Sequence, residues 1–457
     1  MSDSLRTALL VLLLLEPAAL AAQDDEAMEE ELPRYRLGFE VRAHYRDSER
    51  ARFPVPFPFT PEMLPPGQTQ GFMETVEAGR HTDLSVITVH GSAQWREDLA
   101  ARVKIDFIDR YDRNPTSEDR EVDVDEAWLR FGREAAPAEV PERGGAYVKL
   151  GKFGKFERQD DRHLQSYGLM ATAFNFLEDV GVEVGLDFGR HLYAKVSYSQ
   201  GNPLFFRDPN ALAGDNGTSV FDPRNGVVNP VSEIKTGFPI FYDADVDEID
   251  FEHPELGAGV GWRWSSPTGF AAFDVLAWGY TRELAAEADL HNTFYGGDLD
   301  LLLGPGNLTP LPVSGDEKQE AGANLWLYVG GFALFGQYVD QDLAGLDRTG
   351  YEVETSYVFD LPLLWAVGGR QLFPWVSLAV RYSELDPDFR LHPNYPAPSV
   401  VWDWEKIDAG VRLAVVRGLE VTVEWQDNTF VRLGRDESND EFLVTLALSL
   451  ERRWPRR

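Results

Sequence analysis

Ionisable residues separate by sign along the sequence, at alternate positions of short segments. Opposed rows of charge along a water-filled passage select ions and create a transverse field that orients dipolar solutes. Solvated side chains without a selective role are the alternative interpretation of any single position, but the separation concerns the whole set. The predicted passage-lining residues are a basic wall, Arg36, Arg42, Arg46, Arg102, Lys104, Arg130 and Lys149, and an acidic wall, Asp274, Glu320, Glu352, Glu354, Asp408, Glu420 and Glu424.

One acidic run carries carboxylates at the spacing of a cation-binding loop. Carboxylate oxygens are the hard ligands that Ca²⁺ prefers, but the run lacks the mid-loop Gly of an EF-hand. A solvated acidic loop is therefore the alternative interpretation. We predict at most a weak divalent-cation site, with Ca²⁺ as the only candidate cofactor, formed by Asp243, Asp245, Asp247 and Asp250.

Signatures of covalent chemistry are missing from the sequence. There is no Gly-x-Ser-x-Gly, no His-Glu-x-x-His and no Gly-x-x-x-x-Gly-Lys-Ser/Thr. The three glycines Gly257, Gly259 and Gly261 have the wrong spacing for dinucleotide binding. We predict that the protein is not an enzyme.

The composition narrows the class of protein further. Lys plus Arg number 43 against 76 Asp plus Glu, a formal net charge of -33. Because nucleic-acid binding needs a basic face, no nucleic-acid partner is predicted. With 28 Phe, 16 Tyr and 12 Trp the chain is too aromatic to be unfolded. The absence of Cys excludes disulfides and thiolate sites.

The first residues resemble an export signal. Arg6 precedes an apolar run over residues 8–15, and small residues at 18–22 offer a processing site after Ala21. We predict a signal peptide over residues 1–21, an acidic periplasmic segment over 22–34 and the folded domain over 35–454. An N-terminal membrane anchor is the alternative.

The residues of the two walls lie on segments of about ten residues, in which every second position is apolar. Over residues 35–46, for example, Leu37, Phe39 and Val41 share one face and charged residues the other. Such strands have one apolar and one wet side. Strands are predicted near 35–46, 84–95, 99–111, 121–132, 146–154, 179–189, 191–200, 256–265, 269–281, 320–329, 332–341, 349–359, 375–384, 404–415, 419–428 and 440–450.

The connections between these segments alternate between long and short. This alternation, the even strand count and aromatic residues near strand ends are typical of outer-membrane barrels with short periplasmic turns and long extracellular loops. We predict an all-β fold, a transmembrane antiparallel up-and-down barrel of about sixteen strands, with eighteen as the alternative count. The long connections 201–255 and 282–319 contain apolar pieces and are expected to narrow the mouth.

Two motifs carry a family resemblance. They are Asp125-Glu126-Ala127-Trp128-Leu129-Arg130-Phe131 and the later Val148-Lys149-Leu150-Gly151-Lys152-Phe153-Gly154-Lys155-Phe156-Glu157. Together they resemble a strand pair of the phosphate-selective porin O and P family, within the bacterial outer-membrane porins. The resemblance implies porin architecture over residues 35–454 and a phosphate preference through inward Arg and Lys. Similarity to alginate-export-type barrels is a weaker alternative.

These observations predict a passive, water-filled diffusion channel in a Gram-negative outer membrane. Its solutes are expected to be small, hydrophilic and charged, with phosphate or other anions as candidates. Expected partners are outer-membrane lipid and lipopolysaccharide, and further copies of the chain in a homotrimer. An export or receptor barrel for an acidic polysaccharide is one alternative. A secreted soluble β-rich carbohydrate-binding protein is the other.

Overall fold

The computed structural model describes residues 32–50, 52–54, 72–74, 79–108, 122–159, 162–174, 178–201, 221–222, 227–228, 235–236, 245–246, 251–284, 290–291, 314–363, 365–367, 370–389, 403–432 and 434–454. Sixteen strands within these ranges close into one antiparallel barrel. Each strand pairs with its neighbours in sequence order, and the last strand pairs with the first. The predicted sixteen-stranded barrel is confirmed, and the alternative count of eighteen is wrong.

The barrel strands coincide with the sixteen predicted segments, although several extend further. Their bounds are β1 Arg34–Ser48, β2 Gly79–Arg96, β3 Leu99–Ile108, β4 Asp123–Gly132, β5 Gly145–Gly154, β6 Glu178–Phe188, β7 Leu192–Ser199, β8 Glu255–Ser265, β9 Ala271–Glu283, β10 Glu317–Val329, β11 Phe332–Leu343, β12 Leu346–Asp360, β13 Trp375–Pro387, β14 Trp404–Val416, β15 Leu419–Arg432 and β16 Arg435–Trp454. Alternation within a strand is a local signal, which is why sequence alone located them.

The seam between β1 and β16 removes the free edges of the sheet. Their register runs from Tyr35 opposite Trp454 to Ser48 opposite Glu441 without interruption. A closed barrel leaves no row of unpaired backbone groups, which a sheet surrounded by lipid requires.

The two faces of the wall differ sharply. Outward positions carry exposed apolar side chains, such as Leu37, Val196 and Val260, whereas many inward positions carry buried or half-buried charges. This distribution is the reverse of a soluble domain, whose ionised residues are rarely buried. Exposed aromatic side chains lie near both rims, as in the interfacial girdles of membrane barrels, and include Trp95, Phe131, Phe188, Trp264, Phe270, Tyr198, Phe251, Tyr351 and Trp425.

Tight turns gather at one rim, the short-turn rim, and connect β2 to β3, β6 to β7, β8 to β9, β10 to β11 and β14 to β15. In the last of these turns Gly418 has a φ of 83°, a left-handed conformation that favours glycine. Two connections at this rim, 133–144 and 361–374, are longer, as the sequence indicates. At the opposite, long-loop rim, β11 and β12 are joined by residues 344–345 alone.

Further short strands lie outside the barrel sheet. Arg52–Pro54, Phe72–Glu74 and Lys235–Thr236 form a three-stranded sheet, while Phe221–Asp222 pairs with Val227–Val228, Asp245–Val246 with Leu290–His291, and Trp365–Val367 with Arg370–Leu372. One short helix, α1 (Leu169–Ala173), belongs to the connection between β5 and β6. Among the residues that the structure describes, no helix is long and apolar enough to span a membrane.

Candidate functional site: the barrel interior

The connection between β5 and β6 lies inside the barrel. Its described parts, residues 155–159 and 162–174, are called the inner segment. Leu164, Leu169, Met170 and Phe174 are at most 1% exposed, although this stretch follows a strand directly and includes only one turn and a half of helix. Their burial is provided by inward side chains of distant strands, so the segment crosses the lumen.

Two members of the acidic wall hold the backbone of the inner segment. The carboxylate of Glu354 accepts hydrogen bonds from the backbone N–H and Nδ1 of His163, at 3.0 and 2.9 Å. The carboxylate of Glu424 accepts the backbone N–H groups of Gln165 and Ser166, at 2.6 and 3.0 Å. A buried backbone donor needs such a partner. These carboxylates therefore satisfy backbone N–H groups that, in a sheet, a neighbouring strand would satisfy.

A third acidic-wall residue acts through Arg381 of β13. The Arg381 guanidinium donates to Asp408 at 2.8 Å and to the backbone oxygen of Ser166 at 3.0 Å. Lys406 of β14 donates to the backbone oxygen of Tyr167 at 2.6 Å. Arg381 and Asp408 are both fully buried. Buried charges are tolerated when they are paired and hydrogen-bonded, and here the pairing holds the segment against β13 and β14.

The remaining acidic-wall residues have separate surroundings. Glu352 accepts a hydrogen bond from Ser383 at 2.9 Å, and a Cβ added at Gly168 would collide with its carboxylate. Glu320 accepts from Gln341 at 2.5 Å. Glu420 pairs with Arg412 at 2.6 Å and stays 23% exposed. The wall is thus a set of anchoring sites more than a continuous row facing water.

The start of the inner segment is fixed on the opposite side, near β8 to β11. Tyr280 of β9 donates to the Glu157 carboxylate at 2.5 Å, and Asn324 of β10 donates to the Glu157 backbone oxygen at 2.5 Å. Burial raises the pKa of Glu157 to about 7, against the lowering effects of Lys155 and of the Tyr280 hydrogen bond. Lys155 itself pairs with Glu255, a fully buried carboxylate.

A second connection enters the barrel from the short-turn rim. Residues 133–144, the rim segment, place Glu134 3.0 Å from the Lys149 Nζ and 3.4 Å from the Lys195 Nζ. Burial alone would raise the pKa of Glu134, but Lys195, Lys149 and Arg130 lower it to about 2. The backbone N–H of Ala138 donates to the acidic-wall residue Asp274 at 3.0 Å. Asp274 therefore anchors this segment.

The residues predicted as the basic wall lie on β1, β3, β4 and β5. Most of its members pair with carboxylates: Arg42 with Glu40, Arg102 with Glu126, Lys104 with Asp125 and Asp106, Arg130 with Glu134, and Lys149 with Glu134 and Glu183. Arg36 is exposed and Arg46 is fully buried. The structure thus brings acidic residues into the basic wall that balance part of its charge.

Exposure separates the two halves of the lumen. Side chains of Arg42, Arg102 and Lys104 are 32%, 41% and 25% exposed. Arg381, Glu354 and Asp408, by contrast, are at most 1% exposed. The inner segment starts at β5 and is anchored at β12 to β15, so it divides the interior. Its side toward β7 to β11 is filled with buried side chains, and its side toward β1 to β4 reaches water.

The inner segment was not predicted to enter the barrel. The connections predicted to narrow the lumen, 201–255 and 282–319, both lie largely outside the described residues. A signal was available, because residues 164–174 place four large apolar side chains in a connection between strands. The predicted cation ligands Asp243, Asp247 and Asp250 also lie outside the described residues, and only the backbone of Asp245 is described. The Ca²⁺ site stays a prediction.

Comparison with solved structures places the fold. No protein-family model matches the sequence, and no curated protein matches it. OprB of Pseudomonas putida aligns over 92% of this chain and 94% of its own, with 11% identity and a TM-score of 0.50. The outer-membrane channel DcaP of Acinetobacter baumannii aligns over 91% and 96%, with 8% identity and a TM-score of 0.49.

The chain has the fold of bacterial outer-membrane porins. At this level of identity the likeness concerns the fold alone. The specific resemblance to the phosphate-selective porin O and P family receives no support from these comparisons.

Proposed function

We propose that the protein is a passive diffusion channel of a Gram-negative outer membrane. Small hydrophilic solutes cross it through the half of the lumen between the inner segment and β1 to β4. The observation that carries the proposal is the exposure of the ionisable side chains on that half, set against the burial of those on β12 to β15. The apolar exterior and closed seam support a membrane location.

The level of Arg42 is the proposed constriction. Arg42 is partly exposed, whereas His44 and Arg46, the next inward positions on β1, are 3% and 0% exposed. Tyr167 of the inner segment lies within electrostatic reach of Arg42. The guanidinium of Arg162 lies 4.0 Å from the centre of the Tyr167 ring. Arg42 and the Arg-stacked Tyr167 are therefore the two groups proposed to border the passage at this level.

A weak anion preference follows from the pairing pattern. In three pairs of this half the basic side chain is the more exposed partner: Arg42 over Glu40, Arg102 over Glu126 and Lys104 over Asp125. A passing ion therefore meets the guanidinium and ammonium groups first, and charges nearest the passage set selectivity. Phosphate is one candidate solute on this basis, and other small anions satisfy the same chemistry.

The test is the reversal potential of refolded protein in a planar bilayer under a salt gradient. Wild-type protein is expected to show discrete conductance with anion preference. Arg42→Glu changes the local charge by two units. Each unit charge at about 4 Å in water contributes about 1 kcal/mol, so the permeability ratio is expected to move toward cations by about fivefold for each unit. Addition of phosphate then tests for block of the current.

Arg96→Gln is the matched control. Arg96 pairs with Asp98 at the short-turn rim and is 72% exposed, so its loss is expected to leave selectivity unchanged. Cation preference in the wild type would overturn the basic half as the selective one. Absence of conductance would overturn the channel.

The export or receptor barrel for an acidic polysaccharide uses the same basic half and differs in the size of its ligand. Block of small-ion current by oligomers of a sugar acid, and not by the monomer, would favour it. The secreted soluble alternative is disfavoured, because it requires an apolar interior and the described interior is charged.

A further inference from the structure

An apolar pocket lies on the outer surface at the short-turn rim, away from the lumen. It has a volume of about 300 Å³ and is lined by Leu361, Pro362, Trp365, Leu372, Phe373 and Leu413. Leu413 belongs to the outward row of β14, next to Val411, which is 43% exposed. The pocket is therefore continuous with the apolar exterior of the barrel wall.

A hairpin in the connection between β12 and β13 builds this pocket. Trp365–Val367 pairs with Arg370–Leu372, and the Trp365 ring meets the Phe373 ring edge-on with centroids 5.8 Å apart. The backbone N–H of Phe373 donates to the Val415 oxygen at 3.0 Å, which ties the hairpin to the edge of β14. The neighbouring connections β10 to β11 and β14 to β15 are tight turns, so this rim does not require a hairpin for closure.

Phe373 adopts a conformation that bulky residues avoid. Its φ is 54°, within the left-handed region where large side chains are outliers. Such conformations persist where the surroundings enforce them, and they cluster at binding sites. At this position the conformation directs the Phe373 ring toward Trp365 and into the pocket wall.

We propose that this pocket binds one acyl chain of a membrane phospholipid. The inference rests on the proposed membrane location. An opening with apolar walls lacks the polar partners that hold a water molecule, and its volume matches the lower end of small-molecule sites, roughly 300 to 1,000 Å³. Leu363 and the lining residue Trp365 are 69% and 61% exposed, so both offer apolar surface that a bound lipid would cover.

A second copy of this chain is the competing occupant. Stable protein interfaces use roughly 20 to 30 residues from each partner, whereas this pocket has six lining residues and one hairpin. A single flexible hydrocarbon chain fits a site of that extent. The size of the pocket therefore favours a lipid chain over a second copy of the protein.

Native mass spectrometry of protein extracted from membranes in mild detergent tests the site. One phospholipid is expected to remain on each wild-type chain after detergent exchange. Leu361→Trp and Leu372→Trp fill the pocket, and each is expected to lose this lipid. Leu378→Trp changes an outward, 47% exposed residue of β13 that does not line the pocket, and is expected to retain it.

The outcomes separate the two proposals when conductance is measured on the same preparations. Conductance with lipid retained equally by wild type and both filled variants overturns the lipid site and leaves the channel. Conductance with no lipid on the wild type does the same. A dimer or trimer that dissociates in Leu372→Trp, without lipid, assigns the pocket to a second copy and also overturns the proposal. Lipid retained specifically, without conductance, supports the site and overturns the channel.

Discussion

Two inward glycines make room for apolar side chains of the inner segment. A Cβ at Gly410 of β14 would lie 2.6 Å from Leu164 Cδ2 and 2.9 Å from Glu424 Cγ, and a Cβ at Gly350 of β12 would collide with Met170. Gly410→Ala is therefore expected to destabilise the packing of the inner segment against β14 by about 1 to 3 kcal/mol, the usual cost of overpacking. Faster protease cleavage within the inner segment of the refolded barrel is the measurement.

Gly336→Ala is the control for this change, because Gly336 also lies mid-strand but its added Cβ meets only a backbone oxygen at 4.0 Å. Equal cleavage rates for the two variants would contradict the role assigned to Gly410.

The hydrogen-bond partners of individual inward carboxylates could not be predicted from the sequence. The sequence placed Glu354 and Glu424 on an inward face, but their partners, His163 and Gln165, lie 191 and 259 residues away, and no local pattern reports such pairs.

At the scale of elements, the two segments inside the barrel respond to pH in opposite directions. Glu157 has a pKa raised from 4.5 to about 7, so its contribution to the seat of the inner segment is full below pH 4.5 and is lost as pH rises to about 7. Glu134 has a pKa lowered from 4.5 to about 2, so its contribution to the rim segment is present above pH 4.5 and is lost as pH falls toward 2.

Hydrogen exchange measured from pH 4 to pH 8, corrected for the intrinsic rate, tests this contrast. Protection of residues 155–159 is expected to fall as pH rises, by up to about 3 kcal/mol for a shift of this size, while protection of the rim segment stays constant above about pH 5. Glu157→Gln, which keeps the shape and removes the titration, is expected to abolish the dependence. A dependence that persists in Glu157→Gln would assign it to another group.

The elements themselves were predictable because their signal is periodic and local. All sixteen strands appear in the sequence as alternation, and the tight turns appear as short gaps. The inner segment has neither a long helical period nor strand alternation. Its position depends on buried ion pairs such as Arg381 with Asp408, whose favourable geometry exists only after β13 and β14 have paired. Strand alternation therefore located the wall but not the connection that folds inward.

At the scale of the whole molecule, the seam between β1 and β16 closes the fold. Val41 lies mid-strand opposite Leu448, and Val41→Pro removes a ladder hydrogen bond and adds a steric clash. The wild-type barrel is expected to migrate faster in unheated detergent gels than after boiling, and Val41→Pro is expected to lose that difference. Val41→Thr keeps the β-branched shape and is expected to retain it. A heat-modifiable Val41→Pro protein would show that closure does not depend on this seam.

The path of the inner segment has a mechanical consequence. The segment leaves the wall at β5 and is held at β12 to β15, about halfway round a ring of sixteen strands. A hollow cylinder with a thin wall resists stretching along its circumference but flattens easily under sideways load. A tie across its diameter, anchored at both ends by buried ion pairs and hydrogen bonds, works as an internal strut. Lateral pressure that would make the cross-section oval must first strain those anchors, so the same segment that narrows the passage also keeps it round.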